Sequence, residues 1–241
     1  MAQRAALPGA KASLLPDWAH ALLSGRLFKS FKEIPHGIAP KGETLLPGEG
    51  SRNEQEIVNR VLDVGCGRVK APGSIGVDWN PDATAADVLC DLNRPLPFGD
   101  DTFDEVRAVH IIEHLDHVID AMAELHRVSR PGGSIYLVTP HYSDFASWCD
   151  PTHRWHLNTF SFRFFGLYHG QRHWYTRLEL RQLALHVTLA RPWRLLGIEW
   201  LVNRFVWFRR FWEMYLCFML RGKQMEFTFE VVKSPPPCRD S

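Results

Sequence analysis

The chain has 241 residues, 45% of them apolar and 23% charged. That length and balance fit one large domain, or one domain with an extra lobe, and exclude a wholly disordered chain, a collagen-like repeat and a disulfide-built miniprotein. Lys plus Arg is 28 against 27 Asp plus Glu, a net charge of +1 that gives no sign of a nucleic-acid partner. The charge is unevenly spread: net +2 over residues 1–60, −9 over 61–150 and +8 over 151–241. An acidic middle beside a basic end reads equally well as two surfaces with different jobs or as mutual attraction within one fold.

Residues 1–16 and 35–52, rich in Pro, Gly and small side chains, read as loops. Pro8 and Gly9 interrupt the apolar run that a secretory signal needs. Between the loops, Trp18, Leu22, Phe28 and Phe31 recur at helical spacing, which predicts an amphipathic helix over Asp17–Glu33. Residues 1–56 are therefore taken as leader plus helix, and 57–233 as the main domain. Its strands are expected at 57–64, 74–78, 86–91, 103–109 and 134–139. Each is a short apolar run bounded by Gly, Pro or Asp, as buried parallel strands are. A helix is expected over 117–129, where Val118, Met122, Leu125 and Val128 share one stripe, with Asp116 as N-cap and Pro131 as stop. Strand, helix, strand makes an α/β sheet. Only residues 65–74 join the first two strands, too few for a full crossover helix. Residues 141–224 read as an irregular aromatic insert ending in a helix over 204–220. The alternation of Met225, Phe227, Phe229 and Val231 with polar residues predicts a strand over 225–233, and 234–241 a loose tail.

Five cysteines at wide, irregular spacing, with no CxxC pair, point to a reducing, cytoplasmic setting and to no zinc ribbon. Asp63-Val64-Gly65-Cys66-Gly67 closes the first strand, where ligands of open α/β sheets bind and where glycine lets backbone approach a ligand. Asp78 closes the second strand and can accept both hydroxyls of a ribose; Asp91 closes the third and can reach an adenine edge. A nicotinamide site fits poorly, because Lys70 stands where the third small residue of G-x-G-x-x-G belongs and Asp78 follows Gly65 too soon. Asp82, Asp87, Asp100 and Asp101 read as turn and helix caps.

The stretches VLDVGCG, IGVDWNP, DVLCDLNRPLPFGDDTFDEV, HIIEHL and LHRVSRPGGSIYLVTP resemble, in order and spacing, class I S-adenosylmethionine-dependent methyltransferases, in particular the type 11 group. The resemblance covers about residues 57–141. It implies a Rossmann-like seven-stranded sheet, S-adenosylmethionine as methyl donor, Gly65, Cys66 and Gly67 against it, and Asp63 orienting the glycine loop. It also implies Asp78 with Trp79 on the ribose side, Asp91 with Leu92 at the adenine, and backbone contacts from His110. The short 65–74 loop departs from the common pattern, so Arg68 or Lys70 is expected to supply a contact to the cofactor carboxylate. A protein that kept the fold and lost turnover is the alternative.

A general base is useful when a hydroxyl accepts the methyl group, and histidine suits that task. His110, His114, His141, His153 and His156 are the candidates, with His141, directly after the fifth strand, His114 and His153 preferred. Residues 141–165 resemble the insert of methyltransferases encoded with bacterial glycan and cell-envelope genes. That weaker likeness implies Asp150 to His153 at the acceptor; the acceptor is expected to be a small molecule, envelope glycan or lipid-linked molecule, with O-methylation expected ahead of N- or C-methylation. A capped turn with His153 and His156 packed beside Trp155 is the other reading. The i, i+3 spacing of those histidines is no zinc signature, and no metal is expected. Nucleic acid is not expected either, since Val109-His110-Ile111-Ile112 stands where adenine-N6 enzymes carry an Asn-Pro-Pro-Tyr-like motif.

Residues 141–241 hold 22 of the 29 aromatic side chains, and 204–220 has 13 apolar residues of 17. That run is shorter than the ~20 residues needed to span a bilayer, and Arg209 with Arg210 would sit near its centre. It reads as a helix packed on its own core, an interfacial helix on a membrane, or a homodimer face.

Overall fold

The structure is a computed structural model, in which residues 60–166, 176 and 178–233 are described. The helix expected over Asp17–Glu33, the rest of the leader, residues 57–59 and the tail from 234 lie outside the described residues.

Seven strands form one mixed sheet: β1 (Val61–Val64), β2 (Ile75–Asp78), β3 (Val88–Leu89), β4 (Phe103–Val109), β5 (Ser129–Pro140), β6 (Glu179–Leu189) and β7 (Gly222–Val232), in the order β3-β2-β1-β4-β5-β7-β6. The first five are mutually parallel where they pair; β7 runs antiparallel to β5 and β6. This is the seven-stranded Rossmann-like sheet that the resemblance implied. β1 and β4 are neighbours although their connections leave toward opposite edges, so the carboxyl ends of β1, β2 and β4 open on the switch point of the sheet.

The central strands carry the core of the sheet. Leu62, Val77, Val106, Ala108, Ile135 and Leu137 are fully buried. In β7 the predicted alternation holds: Met225, Phe227, Phe229 and Val231 are buried while Glu226, Thr228 and Glu230 are partly exposed. Phe162, from the aromatic segment, packs its ring 4.9 Å from Phe227.

Helix α1 (Val118–Val128) follows β4 and buries Met122, Leu125 and Val128 against the sheet. Its N-cap is His117 rather than Asp116, and it stops at Ser129, whose amide and hydroxyl both turn back to Leu125 O, before Pro131 is reached. Among the described residues, the connections after β1, β2 and β3 contain no helix, so the first crossover is reduced to turns as its length required.

Two expectations fail. Residues 179–189, read as part of an irregular insert, form the edge strand β6, with ten partners on β7. The single helix expected over 204–220 is shorter than that and covers 206–216, with a change of helix type on the way. Helix α2 (Phe145–Cys149) lies between β5 and β6; after β6 come α3 (Arg191–Leu195), α4 (Ile198–Arg204) and α5 (Val206–Phe211), the last running into a π-helical turn at Trp212–Leu216. Phe205 is extended, at φ −121° and ψ 114°, and separates α4 from α5.

Candidate active site

At Val64 the chain leaves β1 and turns on Gly65, φ +70°. The Gly65 and Cys66 amides both donate to Val77 O, at 2.9 and 3.2 Å, tying the turn to β2. A Cβ at Gly65 would stand 2.7 Å from Ile111 Cγ1, so glycine is required both by the left-handed backbone and by a neighbouring side chain. Two carboxylates hold the shortened connection in place of a helix. Asp63 accepts the Ala71 amide at 2.8 Å. Asp78 accepts the Gly67 amide at 2.9 Å on one oxygen and the Asn80 amide at 3.0 Å on the other. Lys70, expected to reach a cofactor carboxylate, is paired with Asp87, which also accepts the Gly76 amide. Asp87, Asp100 and Asp101 thus have the structural roles expected of them, the last two paired with Arg127 and Lys233.

A cleft of about 1110 Å³ opens at this edge. Gly65, Asp78, Trp79, Asp91, Leu92 and His110, all expected at a cofactor, line it. Asp63 and Gly67 shape the loop beneath and do not line it. Cys66 is buried with its sulfur against Gly76, and burial together with the Asp63 and Asp78 carboxylates pushes its thiol up, so it backs the turn as a neutral group.

The three preferred histidine candidates separate. His114 lines the cleft, with Nδ1 2.9 Å from Thr152 Oγ1 and its ring edge-on to His153 at 4.6 Å. His153 lies just beneath, with Nδ1 3.0 Å from Ser147 O. His141 is not part of the site. It has no exposed surface; its Nε2 lies 3.0 Å from Glu213 Oε1, and its Nδ1 accepts the Ser143 amide at 3.2 Å and faces the Ser143 hydroxyl at 2.8 Å. Both ring nitrogens are consumed by the core, so His141 cannot take a proton from a ligand in the cleft.

The Asp150–Thr152 turn is capped, with Asp150 Oδ1 accepting the Thr152 amide at 2.8 Å and its hydroxyl at 2.6 Å. Pro151 and Thr152, within the same turn, line the cleft. His156 stacks on Trp148 at 3.6 Å, not on Trp155.

The sequence reading gave Asp116 and Glu113 no role in the site, and it did not foresee the partner of His110. Asp116, expected to cap a helix, lines the cleft and pairs with Arg154, itself a lining residue, at 3.1 Å. Glu113 is 1% exposed; one oxygen lies 3.3 Å from His110 Nδ1 and the other accepts the Thr139 hydroxyl at 3.1 Å. His110 itself, at φ +54°, holds a strained backbone that its amide bond to Val138 O fixes at 2.9 Å. The usable signal was a Glu three residues after a His at a strand end.

The lining carries the carboxylates of Asp78, Asp91 and Asp116 against one arginine that is already paired. Such a field favours a ligand bearing positive charge, and Asp78 keeps free lone pairs for a vicinal diol. These residues fit S-adenosylmethionine, with its sulfonium, ammonium and ribose.

Comparison with known proteins agrees. A family model described as Methyltransferase domain matches residues 26–188, more than half of the chain. A ubiquinone/menaquinone biosynthesis C-methyltransferase from Desulfotalea psychrophila is 36% identical over 58 residues, 24% of this chain and 20% of that protein. A demethylmenaquinone methyltransferase from Chlorobaculum tepidum is 27% identical over 112 residues, 42% of this chain and 46% of that one. The chain thus spans less than half the length of these curated relatives. Among solved structures, a SAM-dependent methyltransferase from Archaeoglobus fulgidus is similar at 19% identity and a TM-score of 0.45, covering 72% of this chain and 86% of that one. With the family model matched across the glycine turn, β4 and the cleft they form, the chain belongs to the methyltransferase domain family.

Proposed function

We propose that the chain methylates a hydroxyl of an amphiphilic small molecule or lipid-linked glycan, with His110 as general base. The observation that carries this reading is the His110–Glu113 pair at the end of β4. When bound, S-adenosylmethionine supplies an electrophilic methyl group on a sulfonium. Asp78 and Trp79 would hold its ribose side, Asp91 and Leu92 the adenine, and Gly65 the nearby backbone. Glu113, buried and with one oxygen satisfied by Thr139, orients the imidazole by accepting Nδ1–H, which leaves Nε2 toward the cleft with a lone pair for the acceptor's proton. Holding donor and acceptor in line supplies about 7–11 kcal/mol of such a barrier. His110→Gln is expected to lower kcat at least tenfold while leaving affinity for S-adenosylhomocysteine unchanged.

C-methylation of a quinone-type ring is the second reading, favoured by what the two curated relatives are named for. Transfer of tritiated methyl groups to hydroxyl-bearing amphiphiles and to demethylated quinols separates the two. Label in a methyl ether product supports the first reading; label confined to ring carbon replaces it with the second.

An acceptor at a membrane surface is supported by the face of 195–219. Leu195, Leu196, Trp200, Trp207, Phe218 and Met219 are each more than 60% exposed, and Arg194, Arg204 and Arg210 flank them. No helix among the described residues is long and apolar enough to cross a membrane. Co-sedimentation with anionic liposomes is expected for the wild-type protein and at least fivefold less for Trp200→Ala/Trp207→Ala, with low salt favouring binding. Equal, salt-insensitive recovery in the supernatant removes the membrane reading.

A further inference from the structure

We propose that Glu113, His114 and His153 bind one divalent transition-metal ion of the zinc class at the edge of the cleft. Each offers a ligand atom, and the three lie within 4.8 Å of one another. Two segments far apart in sequence are clamped to bring this about: the Arg154 and Trp155 amides both donate to the Glu113 carbonyl, at 2.8 and 3.3 Å.

The hydrogen bonds around the imidazoles fix their tautomers. The Thr152 hydroxyl gives its proton to Asp150 Oδ1 at 2.6 Å, so toward His114 its oxygen can only accept. His114 Nδ1 therefore carries hydrogen. The Ser147 carbonyl can likewise only accept, so His153 Nδ1 carries hydrogen as well. In the neutral form of each ring, Nε2 is then the nitrogen that carries the lone pair. A neutral imidazole whose far N–H is held by an oxygen is how metal-ligating histidines are oriented. Glu113 contributes a buried carboxylate whose oxygens, each with one partner, keep lone pairs to spare. Asp150 Oδ2, 3.9 Å from His153 Nε2, adds negative charge close by.

Two imidazoles and a carboxylate suit zinc better than magnesium or calcium, which prefer all-oxygen shells. Three protein ligands leave one position open, as in catalytic rather than structural zinc sites. His114 and Thr152 line the cleft, so that position faces the ligand. An acceptor oxygen held there would lose its proton more readily; this role rests on the methyl-transfer reading, whereas metal binding does not.

The test uses the full chain, stripped with a chelator, titrated with Zn²⁺ by calorimetry and with Co²⁺ by visible absorption. One equivalent is expected to bind with micromolar affinity or better, with the intense visible bands of four-coordinate Co²⁺. His114→Gln and His153→Gln are each expected to weaken binding about 100-fold, equivalent to some 2.7 kcal/mol. His156→Gln, stacked on Trp148 outside the triad, retains wild-type binding. Thermal unfolding of each variant shows that it is folded. Absence of binding at 100-fold micromolar excess, or binding that the two triad variants leave intact, overturns the proposal. S-adenosylhomocysteine binding, read in the same samples, stands or falls separately.

Discussion

Glu213→Ala is expected to destabilise the fold by about 3–5 kcal/mol, lowering the melting temperature by roughly 6–20 °C for a chain of this size. The carboxylate sits in the core on the π-helical turn after α5. It accepts His141 Nε2–H at 3.0 Å on one oxygen and the Thr159 hydroxyl at 2.6 Å on the other. Truncation leaves both donors buried with no acceptor, at about 1–3 kcal/mol each, and adds a cavity beside Trp212. The Tyr142 hydroxyl and the Cys217 thiol bond the backbone carbonyl of residue 213, which the substitution keeps, so the loss isolates the carboxylate. Chemical denaturation followed by far-UV circular dichroism measures it. A loss under 1 kcal/mol would mean that His141 is not locked in the core and would return it to the list of bases. Gly222 reports on the same lock from the other side: a Cβ there would stand 2.7 Å from His141 Cγ.

That network explains why His141 misled. Its position at the carboxyl end of β5 was legible, because a strand that ends in Thr139-Pro140 at a parallel sheet edge must deliver the next residue there. What covers that end was not legible. The cover is Trp212 and Glu213, some 70 residues further on, and no local pattern announces that a later excursion folds back over a strand end. His110 shows the converse. It was read as a source of backbone contacts and as one of five possible bases; what singles it out is the buried partner three residues away, brought beside its side chain by the turn Ile112–His114.

The sheet itself was legible where burial was complete. β1 and β2 are short runs buried almost throughout, whereas β4 from Val106 onward and β7 alternate, with every second residue buried. β6 escaped because an edge strand needs little apolar content: Arg181, Gln182, Leu183 and Ala184 are all exposed along its middle. The break at Phe205 escaped for a different reason. Phenylalanine is not a helix breaker, and the helical period runs through it unchanged, so tertiary packing decides the bend.

The glycine turn poses a structural problem that its acidic residues solve. In a full crossover, the helix after the first strand would fix the loop by its own hydrogen bonds. Here Asp63 holds Ala71, Asp78 holds Gly67, and Asp87 holds Gly76 and Lys70. Part of the acidic excess of residues 61–150 is thus backbone scaffolding, and the part that faces the cleft is Asp78, Asp91 and Asp116. Asp78 belongs to both groups, which makes it the residue on which cofactor binding depends most.

Asp78→Ala is accordingly expected to weaken S-adenosylhomocysteine binding by 100-fold or more. Two hydrogen bonds from ribose hydroxyls to a carboxylate contribute about 1.5–3 kcal/mol each, or together about 100- to 10⁴-fold in affinity. The substitution also frees the Gly67 amide, now 2.9 Å from Oδ2, so the loop would lose its pin as well as the ligand its acceptor. Asp78→Asn separates these effects. It keeps one acceptor oxygen and roughly the shape of the side chain, and should fall between the wild type and the alanine variant. Calorimetric titration of folded protein, checked by circular dichroism, reads all three. If Asp78→Ala binds within threefold of wild type, the ribose does not lie at the end of β2, and the ligand must enter the cleft from the side of Asp91 and Asp116.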